Sequence, residues 1–273
     1  MPTRSTGPAP DPMKMFSGFR RALPVLALGM LAACSGGEGF VNRTADDYCT
    51  LSDRSTLFLI DRTTTFDAGD QTRLMESLGS VVDHLETGDR IIIATISDHY
   101  SNTKRLANAC KPGCPAASGL MDEIAGSCST MKAKQDSQQF AATLAGSLRE
   151  IVNTAEDASG SDIIRTLGHW TGNSSAKPYT QIVVYSDMLE NSDMISWANF
   201  AAMDEDQLMS VVREHGAEAH TQGTGVRIIG YGRLHDKARS PLPAELDAKL
   251  RSFWMRYFRD GGGQAEFSAQ IDG

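Results

Sequence analysis

The sequence predicts an α/β fold: a doubly wound, mostly parallel sheet with helices on both faces, carrying a cysteine-containing insert. Three observations predict it. Short runs at residues 57–60, 91–94 and 182–185 are continuously apolar rather than alternating, and a fourth at 226–231 is nearly so. Such runs fit strands buried on both sides. Between them lie apolar residues at helical spacing. The two patterns alternate along the chain, so crossover helices join successive parallel strands.

The composition agrees with a globular body. The 273 residues are 41% hydrophobic and 22% charged, with a mean hydropathy of -0.27. These values exclude a disordered, collagen-like or polytopic membrane chain. Lys and Arg number 26 against 34 Asp and Glu, a net charge of -8. That balance lacks the basic footprint of a nucleic-acid binder.

Each element follows from its residues. The first strand covers 56–61 and ends in Asp61. Asp67 or Asp70 caps the next helix, whose stripe is Leu74, Leu78, Val81, Val82 and Leu85. Gly88 and Asp89 close it, and 90–97 form the second strand. Residues 98–136 are polar and hold three cysteines, which predicts an insert with a short edge strand near 103–107. Phe140, Leu144, Leu148, Ile151 and Val152 mark a second helix; Ile163, Ile164 and Leu167 mark a shorter one. The third strand, 181–187, also ends in an acid, Asp187. Helical segments follow around 194–200 and 204–214. The fourth strand is 226–231. Leu246, Leu250, Phe253, Trp254, Tyr257 and Phe258 stripe the last helix, whose aromatics read as core. Gly261, Gly262 and Gly263 end it, ahead of an edge strand near 265–269.

The N-terminus reads as a targeting signal. Lys14, Arg20 and Arg21 precede an apolar run, 22–33, too short to cross a bilayer, which needs roughly 20 residues. It ends in Leu31-Ala32-Ala33-Cys34, which resembles the bacterial lipobox. The resemblance implies a signal peptide over 1–33 and a lipidated Cys34. Residues 34–52 are then a tether and 53–273 the folded domain. It further implies lipid anchoring in a bacterial cell envelope, with Ser35 compatible with an outer-membrane position facing the periplasm. The acidic body argues against any membrane contact beyond the lipid.

Cys49, Cys110, Cys114 and Cys128 remain. In an exported chain an even set predicts two disulfides, and three pairings are open. A Cys₄ zinc site is the competing reading.

Ligands of open α/β sheets bind beyond the carboxyl ends of the strands. Asp61 there begins a hydroxyl ladder, with Thr63 and Thr65 at alternate positions. An oxygen-only set suits a hard cation. With Asp187 at the end of a later strand, the chain resembles a von Willebrand factor A domain with its metal-ion-dependent adhesion site. The first loop, Asp61-x-Thr63-x-Thr65, is similar to that family's Asp-x-Ser-x-Ser. The stretch Ser161-Asp162-Ile163-Ile164-Arg165-Thr166-Leu167 is similar to its second loop, which makes Ser161 the hydroxyl. Ser186-Asp187-Met188 is similar to its third. Glu190 on the same rim reads as a contact for the partner or, the favoured reading, as a cap of the following helix. The resemblance covers about residues 54–270. It implies Mg²⁺ or Mn²⁺ held by Asp61, Thr63, Thr65, Ser161 and Asp187, and a partner protein whose carboxylate completes the shell. It implies binding and no catalysis. Three departures bear on it. Threonines stand for serines, Arg62 places a cation beside the loop, and Met188 takes the place of a glycine. Asp162 is a further candidate ligand.

Two rival readings compete with it. A haloacid-dehalogenase-like phosphatase needs a second acid two residues after its nucleophile, and that position is Thr63. A structural subunit of an envelope complex would keep the pocket only as a vestige. No P-loop, no Gly-x-Ser-x-Gly elbow and no His-x₃-His pair occurs.

Overall fold

Burial of both sides of the central strands organises the chain. The computed structural model describes residues 47–115, 128–155, 157–172, 178–232 and 240–268. Contacts divide the chain into two units, Met1–Glu38 and Gly39–Gly273. The first unit, with the expected signal peptide and Cys34, lies outside the described residues.

Among the described residues six strands form one sheet. They are β1 (Ser55–Asp61), β2 (Arg90–Ile96), β3 (Arg105–Cys110), β4 (Gln181–Tyr185), β5 (Gly225–Ile229) and β6 (Gln264–Ser268). Their order is β3-β2-β1-β4-β5-β6. Among these described strands only β3 runs antiparallel; every other neighbouring pair is parallel. The fold is the α/β, doubly wound class expected. Among the described residues the α-helices are α1 (Ala68–His84), α2 (Thr130–Thr154), α3 (Ile163–Gly172), α4 (Trp197–Ala202), α5 (Glu205–Glu214) and α6 (Ala244–Asp260).

Alternation along β1 divides the core. Phe58 and Ile60 face Leu74, Leu78 and Val81 of α1 and Leu144, Leu148 and Ile151 of α2. Leu57 and Leu59 face the other layer, with Ile163, Ile164 and Leu167 of α3 and Phe253, Trp254, Tyr257 and Phe258 of α6. Leu57, Phe58, Leu59 and Ile60 are all fully buried. Burying each such side chain contributes roughly 1.5–3 kcal/mol, so the central strands hold both layers together.

Local chemistry sets the helix starts. Asp67 is the N-cap of α1 in a reciprocal capping box with Asp70. Ser129 caps α2, Ser196 caps α4 and Asp204 caps α5. The expected insert, 98–136, is shorter than its polarity suggested. It contains β3, and α2 already begins at Thr130. The first turns of α2 are mostly solvated: Met131 is 83% exposed and Ala133 is the only buried residue before Phe140. A solvated turn leaves no apolar stripe to read. The edge strand expected near 103–107 runs over Arg105–Cys110 instead.

The disulfides are Cys49–Cys110 and Cys114–Cys128. All four sulfurs are used, so no Cys₄ zinc site forms. Within the stretch expected as tether, Tyr48 is buried and Cys49 is bonded to the end of β3. Among the described residues no helix is long and apolar enough to cross a membrane.

Candidate functional site

The connections reverse direction between β1 and β4, which lie side by side at the centre of the sheet. Their carboxyl ends therefore open a crevice of the kind that holds ligands. Three loops meet there: 61–65 after β1, 157–162 before α3, and 186–191 after β4.

Asp61 is the hub. Its Oδ1 accepts from the Thr63 backbone N–H at 3.0 Å and from Thr63 Oγ1 at 2.6 Å. Its Oδ2 accepts from Ser161 Oγ at 3.1 Å and Ser186 Oγ at 2.8 Å. Burial of the carboxyl, followed by the nearby charge of Asp187, pushes the Asp61 pKa above its ordinary range, against the opposing hydrogen bonds of Thr63 and Ser186. Asp187 is itself held in a turn, its Oδ1 accepting from the Leu189 N–H at 2.9 Å. Four of the five residues singled out, Asp61, Thr63, Ser161 and Asp187, thus lie together.

Thr65 is not among them. Its N–H and hydroxyl both donate to Asp157 Oδ1, at 2.9 and 3.1 Å. That contact ties the first loop to the second, helped by the bond from Ala158 N–H to Thr63 O at 2.9 Å. Ser186, unassigned from the sequence, supplies the third hydroxyl on Asp61. The signal was present: a hydroxyl residue stands directly before the acid that ends a strand.

The second and third loops are joined at close range. Ser161 and Asn191 form an antiparallel bridge with bonds of 2.9 and 3.0 Å. A Cβ at Gly160 would sit 2.2 Å from the Asn191 carbonyl oxygen, so only glycine permits this approach. Glu190 fastens the same junction. It is fully buried, and its Oε2 accepts from the N–H groups of Ile163 at 2.8 Å and Ile164 at 3.0 Å. It therefore caps α3, the helix before it in the chain, and not the helix that follows it. Its other oxygen, Oε1, has no hydrogen-bond partner. Desolvation pushes its pKa up to about 8, against the opposing pull of the nearby Ser192 hydroxyl and the two N–H groups.

Met188 occupies the position of the expected glycine and keeps a left-handed backbone, φ 64°. Its side chain is fully buried, and Trp254 Nε1–H donates to its carbonyl at 3.0 Å. The Tyr257 hydroxyl of the same helix donates to Ala217 O at 2.8 Å and lies 3.2 Å from Ile164 O. The aromatic face of α6 thus supports the 186–191 loop and abuts the start of α3.

Arg62 turns away from Asp61, its Nη2 donating to Ser97 Oγ at 3.2 Å. Asp162 is also diverted. Its carboxylate accepts from Tyr100 N–H at 2.9 Å and from Arg165 Nε at 2.9 Å. His99, Asp162 and Asp193 form a separate group whose ligand atoms lie within 4.8 Å of one another. Arg165 pairs with both acids there, and this hydrogen-bonded guanidinium holds the Asp193 pKa below its usual range. The positive charge of that group is already supplied by the chain.

The chain matches no protein-family model and no curated protein. Among solved structures it is similar to a von Willebrand factor type A protein from Catenulispora acidiphila, with 11% identity and a TM-score of 0.41. The similarity covers 80% of this chain and 39% of that one, so the chain spans about two fifths of that structure's length. The fold class rests on the sheet order and the helix layers themselves.

Proposed function

We propose that the protein is a non-catalytic binding module that holds a partner protein through a divalent cation, Mg²⁺ or Mn²⁺, at the rim of its sheet. The observation that carries this reading is the convergence of three hydroxyls, Thr63, Ser161 and Ser186, on the Asp61 carboxylate with Asp187 beside it.

The donor set fits such an ion. It is all oxygen, with two acids and three hydroxyls and no nitrogen or sulfur, the preference of a hard cation. The charge of Asp187 also raises the cost of ionising Asp61, and the nearest cationic side chain in sequence, Arg62, is turned to Ser97. Each hydroxyl donates its proton to Asp61, which leaves its oxygen an acceptor, although Ser186 Oγ also accepts the Met188 N–H at 2.9 Å. Asp61, Thr63, Ser161, Ser186 and Asp187 would hold the ion, which when bound supplies an electrophilic centre for a carboxylate. The chain's own part is to orient these oxygens through the Ser161–Asn191 bridge and the Glu190 cap. A Glu or Asp of the partner is the matching group. We place the protein on a lipid anchor at Cys34 in a bacterial envelope, facing the periplasm from the outer membrane, on the strength of the sequence 14–37 alone.

One observation favours a second reading, a structural subunit with a vestigial pocket: Thr65 is committed to Asp157. Calorimetric titration of the purified protein with Mg²⁺ and Mn²⁺ separates the two. A single saturable site, abolished by Asp61→Asn and by Asp187→Asn, supports cation-assisted binding. Absence of saturable heat, and of any rise in Tm at millimolar metal, leaves the vestigial reading. Capture of envelope proteins that is lost with chelator would then test the partner.

A further inference from the structure

The opposite end of the sheet, where β1, β4 and β5 begin, carries a cavity of about 320 Å³ under the C-terminal half of α1. Arg54, Arg227, His84, Thr56, Ser80 and Gln181 line it. Strand alternation explains the set. Thr56 and Gln181 are paired across β1 and β4, and Arg227 lies one pleat further along β5, on the same face. Ser80 and His84 are one turn apart on α1 and point down at them.

The chain has a net charge of -8, yet among the described residues no carboxylate lines the cavity and three basic side chains do. Arg54 is balanced by Glu86 at 3.2 Å and Asp89 at 3.5 Å. Arg227 is not balanced. Among the described residues it has neither hydrogen bond nor ion pair, although Glu266 is its neighbour across β6. The His84 ring approaches the Ser80 carbonyl with Nδ1 at 2.7 Å. A carbonyl only accepts, so Nδ1 carries the proton and Nε2 faces the cavity as an acceptor for a ligand O–H. The side chains of Thr56, Ser80 and Gln181 likewise have no hydrogen-bond partner among the described residues. A half-buried guanidinium without an anion, flanked by unused polar groups in a cavity of ligand size, is a built anion site.

We propose that this cavity binds a small molecule carrying an oxyanion, a phosphate or a carboxylate. Arg227 grips the anion with its two-pronged donor set, and His84 Nε2 accepts from a hydroxyl of the ligand. Arg54 sits at the mouth. Thr56, Ser80 and Gln181 take the neutral polar groups of the ligand. The site lies at the far end of the strands from Asp61 and does not rest on the cation reading.

The test uses the purified protein with inorganic phosphate, glycerol 3-phosphate and succinate at matched ionic strength, read by calorimetry and Tm. Saturable binding of at least one probe is expected, the two phosphates against succinate deciding the class of oxyanion. Arg227→Ala should weaken it at least about tenfold, the loss of one charged hydrogen-bonded contact. Gly225→Met is the second variant. A Cβ added there meets no atom within 4 Å, so the longer side chain fills the cavity while every charge is retained. It should abolish binding with Tm unchanged. Asp61→Asn should leave binding intact. No saturable binding of any probe, or binding that both Arg227→Ala and Gly225→Met leave unchanged, overturns the assignment.

Discussion

Replacing Glu190 by Gln should stabilise the protein in a pH-dependent way. Glu190 is fully buried, one oxygen accepts two backbone N–H groups of α3, and the other has no partner. Desolvation raises its pKa from an ordinary value of 4.5 to about 8. Between those two values the folded chain keeps a proton that the unfolded chain has released. Stability therefore falls as pH rises through that window and is flat beyond it. At about 1.4 kcal/mol per pH unit the loss has an upper bound of about 5 kcal/mol. A Gln side chain retains the carbonyl that accepts from Ile163 and Ile164 and does not titrate. The variant should match the wild type near pH 4.5 and exceed it progressively up to pH 8, by as much as several kcal/mol. Urea unfolding across pH 4.5–9 with chelator present measures this. Parallel curves for the two proteins, or a wild type that gains on the variant as pH rises, would refute the account of a buried, protonated Glu190.

Three other outcomes follow from the same geometry. Thr63→Ala should weaken Mg²⁺ or Mn²⁺ binding at least about tenfold, the scale of losing a ligand or its supporting bond; Thr65→Ala, whose hydroxyl serves Asp157, should leave it within about twofold by calorimetry. Met188→Gly removes about 1 kcal/mol of left-handed strain but empties a core position costing about 2–5 kcal/mol, so denaturant curves should show net destabilisation; a gain would mean that strain outweighs packing at this turn. Removing Cys49–Cys110 as an alanine pair should cost up to about 4 kcal/mol and removing Cys114–Cys128 about 3 kcal/mol, following the sequence separations of 61 and 14 residues; thermal unfolding of the two double variants gives the order.

Much of the site's outline is legible in the residue order. Asp61 and Asp187 fall at the crevice because each follows an apolar run, and a run buried on both faces ends where its chain emerges. Thr63 is legible too, being two residues from Asp61. Thr65 reads identically in the chain, yet its hydroxyl goes to Asp157, 92 residues away. Ser186 and Ser161 meet Asp61 across separations of 125 and 100 residues, which no local pattern reports. Glu190 reads as the cap of the helix after it; its partner is the start of α3, 27 residues earlier.

What the amino-acid order settled was therefore the layered α/β architecture, since hydrophobic periodicity acts within a few residues and fixes which side of each strand or helix must leave water. Folding in three dimensions chose the cysteine partners, the acceptor of each hydroxyl and the charge lining of each end of the sheet. Those choices depend on ångström-scale proximity between distant segments, and hydrogen bonds and charges discriminate at that scale while burial does not.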